Sequence, residues 1–155
     1  MKKEIIAFVL ILLCVSGCAR MSVEQITDKY LVTVSADTKN TKYQNENAND
    51  NSKIDIILKG IVTKLDSKFS SKTTNSARSN LIVNIEILEY GLLLKIVPPP
   101  RHWVTYKVDI IDSGNNKVLG SQIFEDGQPN IPAIVDEMTQ NIYKYCMQTM
   151  RDKLN

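Results

Sequence analysis

Few side chains in this chain are of a type that could do chemistry, and their spacing decides what chemistry is open to them. The one histidine, His102, stands beside Trp103, and no carboxylate or cysteine lies at helical ligand spacing from it. A His-based metal site is therefore not expected, and His102 reads as a loop histidine. Asp136 and Glu137 are adjacent where a helix should begin, a place where negative charge suits the helix dipole, and Asp109 and Asp112 flank the end of a strand pattern. Paired carboxylates can do acid–base work, but only when they converge on a pocket, and no pocket-forming pattern accompanies these. The expectation is a protein that is not an enzyme, with no catalytic residues, no metal and no cofactor.

The cysteines say more. The chain opens Met1-Lys2-Lys3-Glu4, continues with an unbroken apolar run of nine residues from Ile5 to Leu13, and reaches Val15-Ser16-Gly17 before Cys18. A charged start, a short apolar stretch and a small-residue site form the three-part grammar of an export signal. A permanent span would need roughly 20 apolar residues, so a cleavable signal fits better. Val15-Ser16-Gly17-Cys18 resembles the lipobox of bacterial lipoproteins, with Val15 where that family most often has Leu. The resemblance covers the first twenty residues. It implies removal of residues 1–17 as a signal peptide and lipid attachment at Cys18, with acyl chains such as palmitate. Two or three chains on one residue hold a protein stably to a bilayer where a single chain does not. Ala19, directly after the cysteine, resembles the outer-membrane type, which implies an envelope protein anchored to the outer membrane and facing the periplasm. On this reading Cys14 leaves with the signal and Cys18 is acylated, so Cys146 has no partner for an intrachain disulfide and reads as a buried inert thiol in an apolar helical pattern.

Without residues 1–17 the chain keeps 138 residues, 17 of them basic and 16 acidic. That length suits one domain with a modest core. Lysines are spread among carboxylates rather than gathered on one face, which argues against a nucleic-acid partner.

Residues 18–52 form a lead-in and residues 53–155 a single domain. Within the lead-in, Tyr30 to Ala36 has the β-branched composition of a first strand, with Leu31, Thr33 and Ser35 facing one way and Val32 and Val34 the other. Asp37 to Ser52 is rich in Asn, and only Tyr43 and Ala48 could contribute to a core, so it reads as a flexible connection. It is either a tether or a long loop, depending on whether Tyr30 to Ala36 joins the domain. From Lys53 to Ser70, Ile54, Ile57, Leu58, Ile61, Leu65 and Phe69 recur at three and four and predict an amphipathic helix, which Asn51 or Ser52 could cap. Leu81, Val83, Ile85 and Ile87 predict a half-buried strand, as do Val104, Tyr106, Val108 and Ile110. The turn residues Asp112 to Asn116 lead to a third strand over Lys117 to Glu125, antiparallel to its predecessor because the connection is too short for a crossover. After Gly127 and Pro129, Pro132 opens a second helix with Ile134, Met138, Ile142, Tyr145, Cys146 and Met150 on one stripe.

The predicted fold class is α+β: a small, largely antiparallel sheet of three or four strands with two helices on one face. This order looks like that of several small outer-membrane lipoproteins, namely the lipopolysaccharide-assembly lipoprotein and the domain shared by the TolB amino terminus and curli-secretion lipoproteins. Asp112-Ser113-Gly114 followed by Val118-Leu119 resembles their central hairpin. The likeness implies an architecture and carries no functional residues.

One stretch does not fit a plain strand. Gly91 to Trp103 reads GLLLKIVPPPRHW, with apolar residues running into three prolines, which withhold backbone donors and favour extended chain. Projecting from the sheet, Leu92, Leu94 and Ile96 would form a contact patch with Arg101 and Trp103 as anchors. Alternatively the preceding strand runs on into the core and the prolines end it. The function expected is a non-catalytic accessory or scaffold subunit of an envelope assembly or transport complex, with the membrane and an envelope protein as partners. A module binding lipid or a cell-wall fragment and a surface-displayed lipoprotein are the competing readings.

Overall fold

A computed structural model describes residues 30–39, 41–43, 51–70, 79–93 and 101–154. The elements run β1 (Tyr30–Asp37), β2 (Lys42–Tyr43), α1 (Asn51–Phe69), β3 (Ser79–Leu93), β4 (Arg101–Asp112), β5 (Lys117–Gln128) and α2 (Ile131–Leu154). The strands form one sheet in the order β1-β3-β4-β5, with β2 also pairing β3. β3, β4 and β5 are antiparallel neighbours, as the short hairpin connection requires, whereas β1 and β2 run parallel to β3.

Alternation with period two does the sorting. Leu81, Val83, Ile85 and Ile87 of β3 and Val104, Tyr106, Val108 and Ile110 of β4 are buried on one face. Over them lie the apolar stripes of both helices, including Ile57, Ile61 and Leu65 of α1 and Ile134, Met138, Ile142, Cys146 and Met150 of α2. The α+β architecture with both helices on one face is thus the one the pattern predicts.

Several details go beyond it. Tyr30 to Ala36 is a strand of the same sheet, so the Asn-rich stretch connects two parts of one domain. Of that stretch, residues 40 and 44–50 lie outside the described residues. Its Lys42-Tyr43 pairs with Glu89-Tyr90, Tyr43 packs against the core, and the sheet has five strands rather than three or four. Asn51 and Ser52 sit inside α1 rather than before it. A bulge at Leu88 shifts the β3–β4 register between Ile87 and Glu89, so burial passes from Ile87 to Tyr90. His102 is in β4, opposite Leu92 and Gln128, and is not a loop residue. β4 begins with Arg101 paired to Leu93, and from His102 onward it has partners on both sides.

The termini of the elements are locally encoded. Asp112 Oδ1 accepts a bond from the Gly114 amide and Asn115 Oδ1 one from the Lys117 amide, each at 2.9 Å, while Asn116 takes φ 55°, a conformation asparagine tolerates. Asn130 is the N-cap of α2: its Oδ1 accepts from the Ala133 amide at 2.9 Å and its carbonyl from the Ile134 amide at 3.1 Å.

Where α2 crosses β5, Gly120 lets the helix approach. A Cβ there would lie 2.6 Å from the Tyr145 hydroxyl and 2.7 Å from Thr149 Cγ2, whereas one at Gly127 would meet nothing nearer than 3.7 Å. Gly120→Ala is therefore expected to lose about 1–3 kcal/mol through overpacking, and Gly127→Ala to stay within about 0.5 kcal/mol of the parent, as read by urea denaturation.

Candidate interaction surface

The face of the sheet away from the helices is where the candidate anchors are found. Strand pairing lays it out in rows: Thr33, Ile82, Ile111, Val118; then Ser35, Asn84, Asp109, Ser121; then Asp37, Glu86, Lys107, Ile123; then Lys42, Glu89, Thr105, Glu125; and last Gly91, Trp103, Gly127. Polar contacts tie its middle together. Ser35 Oγ donates to Asn84 Oδ1 at 2.9 Å, and Lys107 pairs with Asp109 at 2.8 Å. That hydrogen bond raises the Lys107 pKa and keeps the ammonium charged.

Trp103 sits half-buried at one end of this face, its Nε1 donating to Glu125 Oε1 at 2.5 Å, and Arg101 is exposed two residues earlier on the same face. Leu92 is half-buried and pairs with His102 on the helix side of the sheet. The structure thus brings Arg101 and Trp103 together and sets Leu92 on the opposite face. Cys18, Leu94 and Ile96 lie outside the described residues. β3 continues to Leu93, so at least the start of the apolar run extends the strand.

Beneath the sheet, on the helix side, is a polar cluster that sequence reasoning did not single out. Asp126, almost fully buried, accepts from the Tyr106 hydroxyl at 2.6 Å and from Asn141 Nδ2 at 2.9 and 3.1 Å. Burial first, then the Asp126 carboxylate, push the Tyr106 phenol well above its usual range. Gln128 Nε2 donates to Glu137 nearby. These bonds occupy the Asp126 oxygens and fasten α2 to β4 and β5; what they supply is position rather than a reactive group. The signal in the sequence was faint: Tyr106 and Asn141 sit among the apolar residues of β4 and α2, and Asp126 follows Phe124 on the inward side of β5.

At the same end Tyr90 and His102 share a 2.8 Å hydrogen bond. Burial, then the Lys53 ammonium, lower the imidazole pKa and favour the neutral ring. Cys146 is buried in the core, and burial pushes its thiol up to about 12, which leaves it protonated and inert. Between the outward sides of α1 and α2 runs an open groove of about 540 Å³ lined by polar residues and the apolar parts of their side chains, with Lys64 and Asp136 ion-paired in it beside Thr63, Ser67 and Lys68. Among the described residues no group of His, Cys, Asp and Glu could hold a metal ion, and no helix is long and apolar enough to cross a membrane.

No protein-family model matches this chain, and no curated protein matches it. Solved structures similar to it include protein XCC0632 of Xanthomonas campestris, described as DUF330, at 13% identity and TM-score 0.39, covering 63% of this chain and 58% of that one. The hypothetical protein CT253 of Chlamydia trachomatis shares 17% identity at TM-score 0.35, covering 63% of this chain and 73% of that one. Lipoprotein GNA1162 of Neisseria meningitidis shares 17% identity at TM-score 0.32, covering 75% of this chain and 99% of that one. The chain thus spans little more than half the length of the Xanthomonas protein.

The lowered His102 pKa has a pH signature with a definite sign. The folded ring resists a proton that the unfolded chain accepts, so its contribution to stability is present above about pH 6.5 and lost as pH falls below it. In His102→Gln the loss of stability between about pH 7.5 and about pH 5 should be smaller than in the parent, measured by urea midpoints at both values.

Proposed function

We propose that this chain is a bacterial envelope lipoprotein held to the outer membrane through an acylated Cys18, facing the periplasm. Its domain acts there as a non-catalytic accessory or scaffold subunit of an assembly or transport complex. The observation that carries the reading is the sequence Val15-Ser16-Gly17-Cys18 at the end of a short apolar run. The domain supports it in one respect. Only residues 19–29 separate Cys18 from the first residue of β1, so at about 3.3–3.6 Å per residue the start of that strand stays within roughly 40 Å of the bilayer. The tether joins the Tyr30–Ser79 end of the sheet, and Arg101 and Trp103 sit at the opposite end of the helix-free face, away from the attachment point and toward partners in the periplasm.

Two measurements test the proposal. Cells fed an alkyne fatty acid should label the parent chain and leave Cys18→Ala unlabelled, with the parent in the membrane fraction; an unlabelled parent overturns the anchor. A photoreactive residue at Trp103 should capture one dominant envelope protein in intact cells. Capture of lipid alone sinks the accessory-subunit reading in favour of a lipid-binding module, and removal of the domain by protease added to whole cells favours surface display.

A further inference from the structure

The two edges of the sheet are not alike. One is broken up: β1 ends at Asp37, a turn closes with the Thr41 amide donating to the Thr38 carbonyl at 3.1 Å, and β2 adds two residues. Charges crowd that edge, with Asp37 and Lys39 paired and Lys42 exposed. Short strands, turns and charges are how sheets keep an edge from recruiting another strand. The other edge, β5, is one strand of twelve residues, Lys117–Gln128, with no turn or proline; its charges, Lys117, Glu125 and Asp126, stand toward its ends, its one irregularity is a bulge at Leu119, and among the described residues nothing pairs with its outer side.

Its side chains point the same way. Four large apolar side chains are exposed among the described residues, and two of them, Val118 at 54% and Ile123 at 60%, belong to β5. Ser121, Gln122 and Ile123 are exposed in succession although neighbours face opposite sides of the sheet, so α2 does not overhang the middle of the edge.

We propose that β5 pairs antiparallel with β5 of a second copy of this chain, about a two-fold axis at Ile123, to give one continuous sheet across a dimer. From Gly120 to Asp126 antiparallel self-pairing keeps outer face with outer face, so the alternation is satisfied in both copies over a stretch that stops short of the bulge at Leu119. About this axis Ile123 meets its own counterpart, Glu125 meets Ser121, Asp126 meets Gly120 and Gln122 meets Phe124, while Lys117 falls beyond the paired stretch. The strand's three charged residues therefore never meet a like charge, and an exposed isoleucine is buried at the centre. An isologous contact of this kind closes on itself rather than propagating. The pairing uses β5 alone and does not depend on the lipid anchor.

The test uses the full chain in membranes. Ile123→Cys, oxidised and run on a non-reducing gel, should give a covalent homodimer roughly tenfold or more above Ile56→Cys, the effective-concentration gain of a held pair. Ile56 is a matched control, 56% exposed but on α1. The native Cys146 is buried and stays out of the reaction. Ile123→Lys, which sets two ammonium groups against each other, should convert a detergent-solubilised dimer into a monomer by sedimentation while its circular dichroism is unchanged. Equal cross-linking of the two cysteine variants, a parent that sediments as a monomer, or an Ile123→Cys adduct with a different protein would each overturn self-pairing.

Discussion

The structure depends on one-sided burial of β3. It pairs on both edges, with β1 and β2 on one side and β4 on the other, and its inward residues Leu81, Val83, Ile85 and Ile87 are sealed from solvent. Each such side chain contributes roughly 1.5–3 kcal/mol of transfer free energy when it leaves water. Because every second residue must face the helices, a one-residue slip of β3 would turn this set outward, so its register also fixes that of β1 and β4. β5 then inherits its position from β4. The order of the sheet follows from where one alternating run must lie.

The same alternation makes much of the fold readable from the sequence. The inward residues of β3 and β4 and the stripes of α1 and α2 are strong periodic patterns, and they appear in the structure at the expected positions. Weaker features were hidden for physical reasons. β2 is two residues in a polar stretch, and its pairing with Glu89-Tyr90 is held by backbone bonds and by Thr41 Oγ1 donating to the Ile87 carbonyl at 2.9 Å, neither of which leaves a pattern in side-chain polarity. Asn130 as the cap of α2 was masked by two prolines that break the chain on either side of it.

The candidate anchors show the same limit more sharply. Read without interruption from Leu81, the alternation of β3 places Leu92 outward, beside Arg101 and Trp103. The bulge at Leu88 reverses the parity, so Leu92 moves to the helix side with Tyr90 and His102. A bulge inserts one residue and leaves hydrophobicity unchanged, so composition cannot announce it. The surface that remains legible is the pair Arg101 and Trp103, and its orientation is set by the Glu125 carboxylate, a cross-strand partner more than twenty residues away.

The buried polar cluster and the open edge belong to one arrangement. Asp126 lies on β5 and is bonded from β4 by Tyr106 and from α2 by Asn141, while at Gly120, six residues earlier, Tyr145 and Thr149 of α2 lie against the strand. These two points hold β5 to the domain near both of its ends and leave Ser121 to Ile123 uncovered between them. An edge strand without such fastening would fray, and pairing it with anything would cost the entropy of ordering it first. Fastened through its inner side, β5 keeps its outer backbone groups in strand geometry before any partner arrives. A charged residue buried in the core, unfavourable for packing by itself, is in this fold what keeps the edge ready to pair.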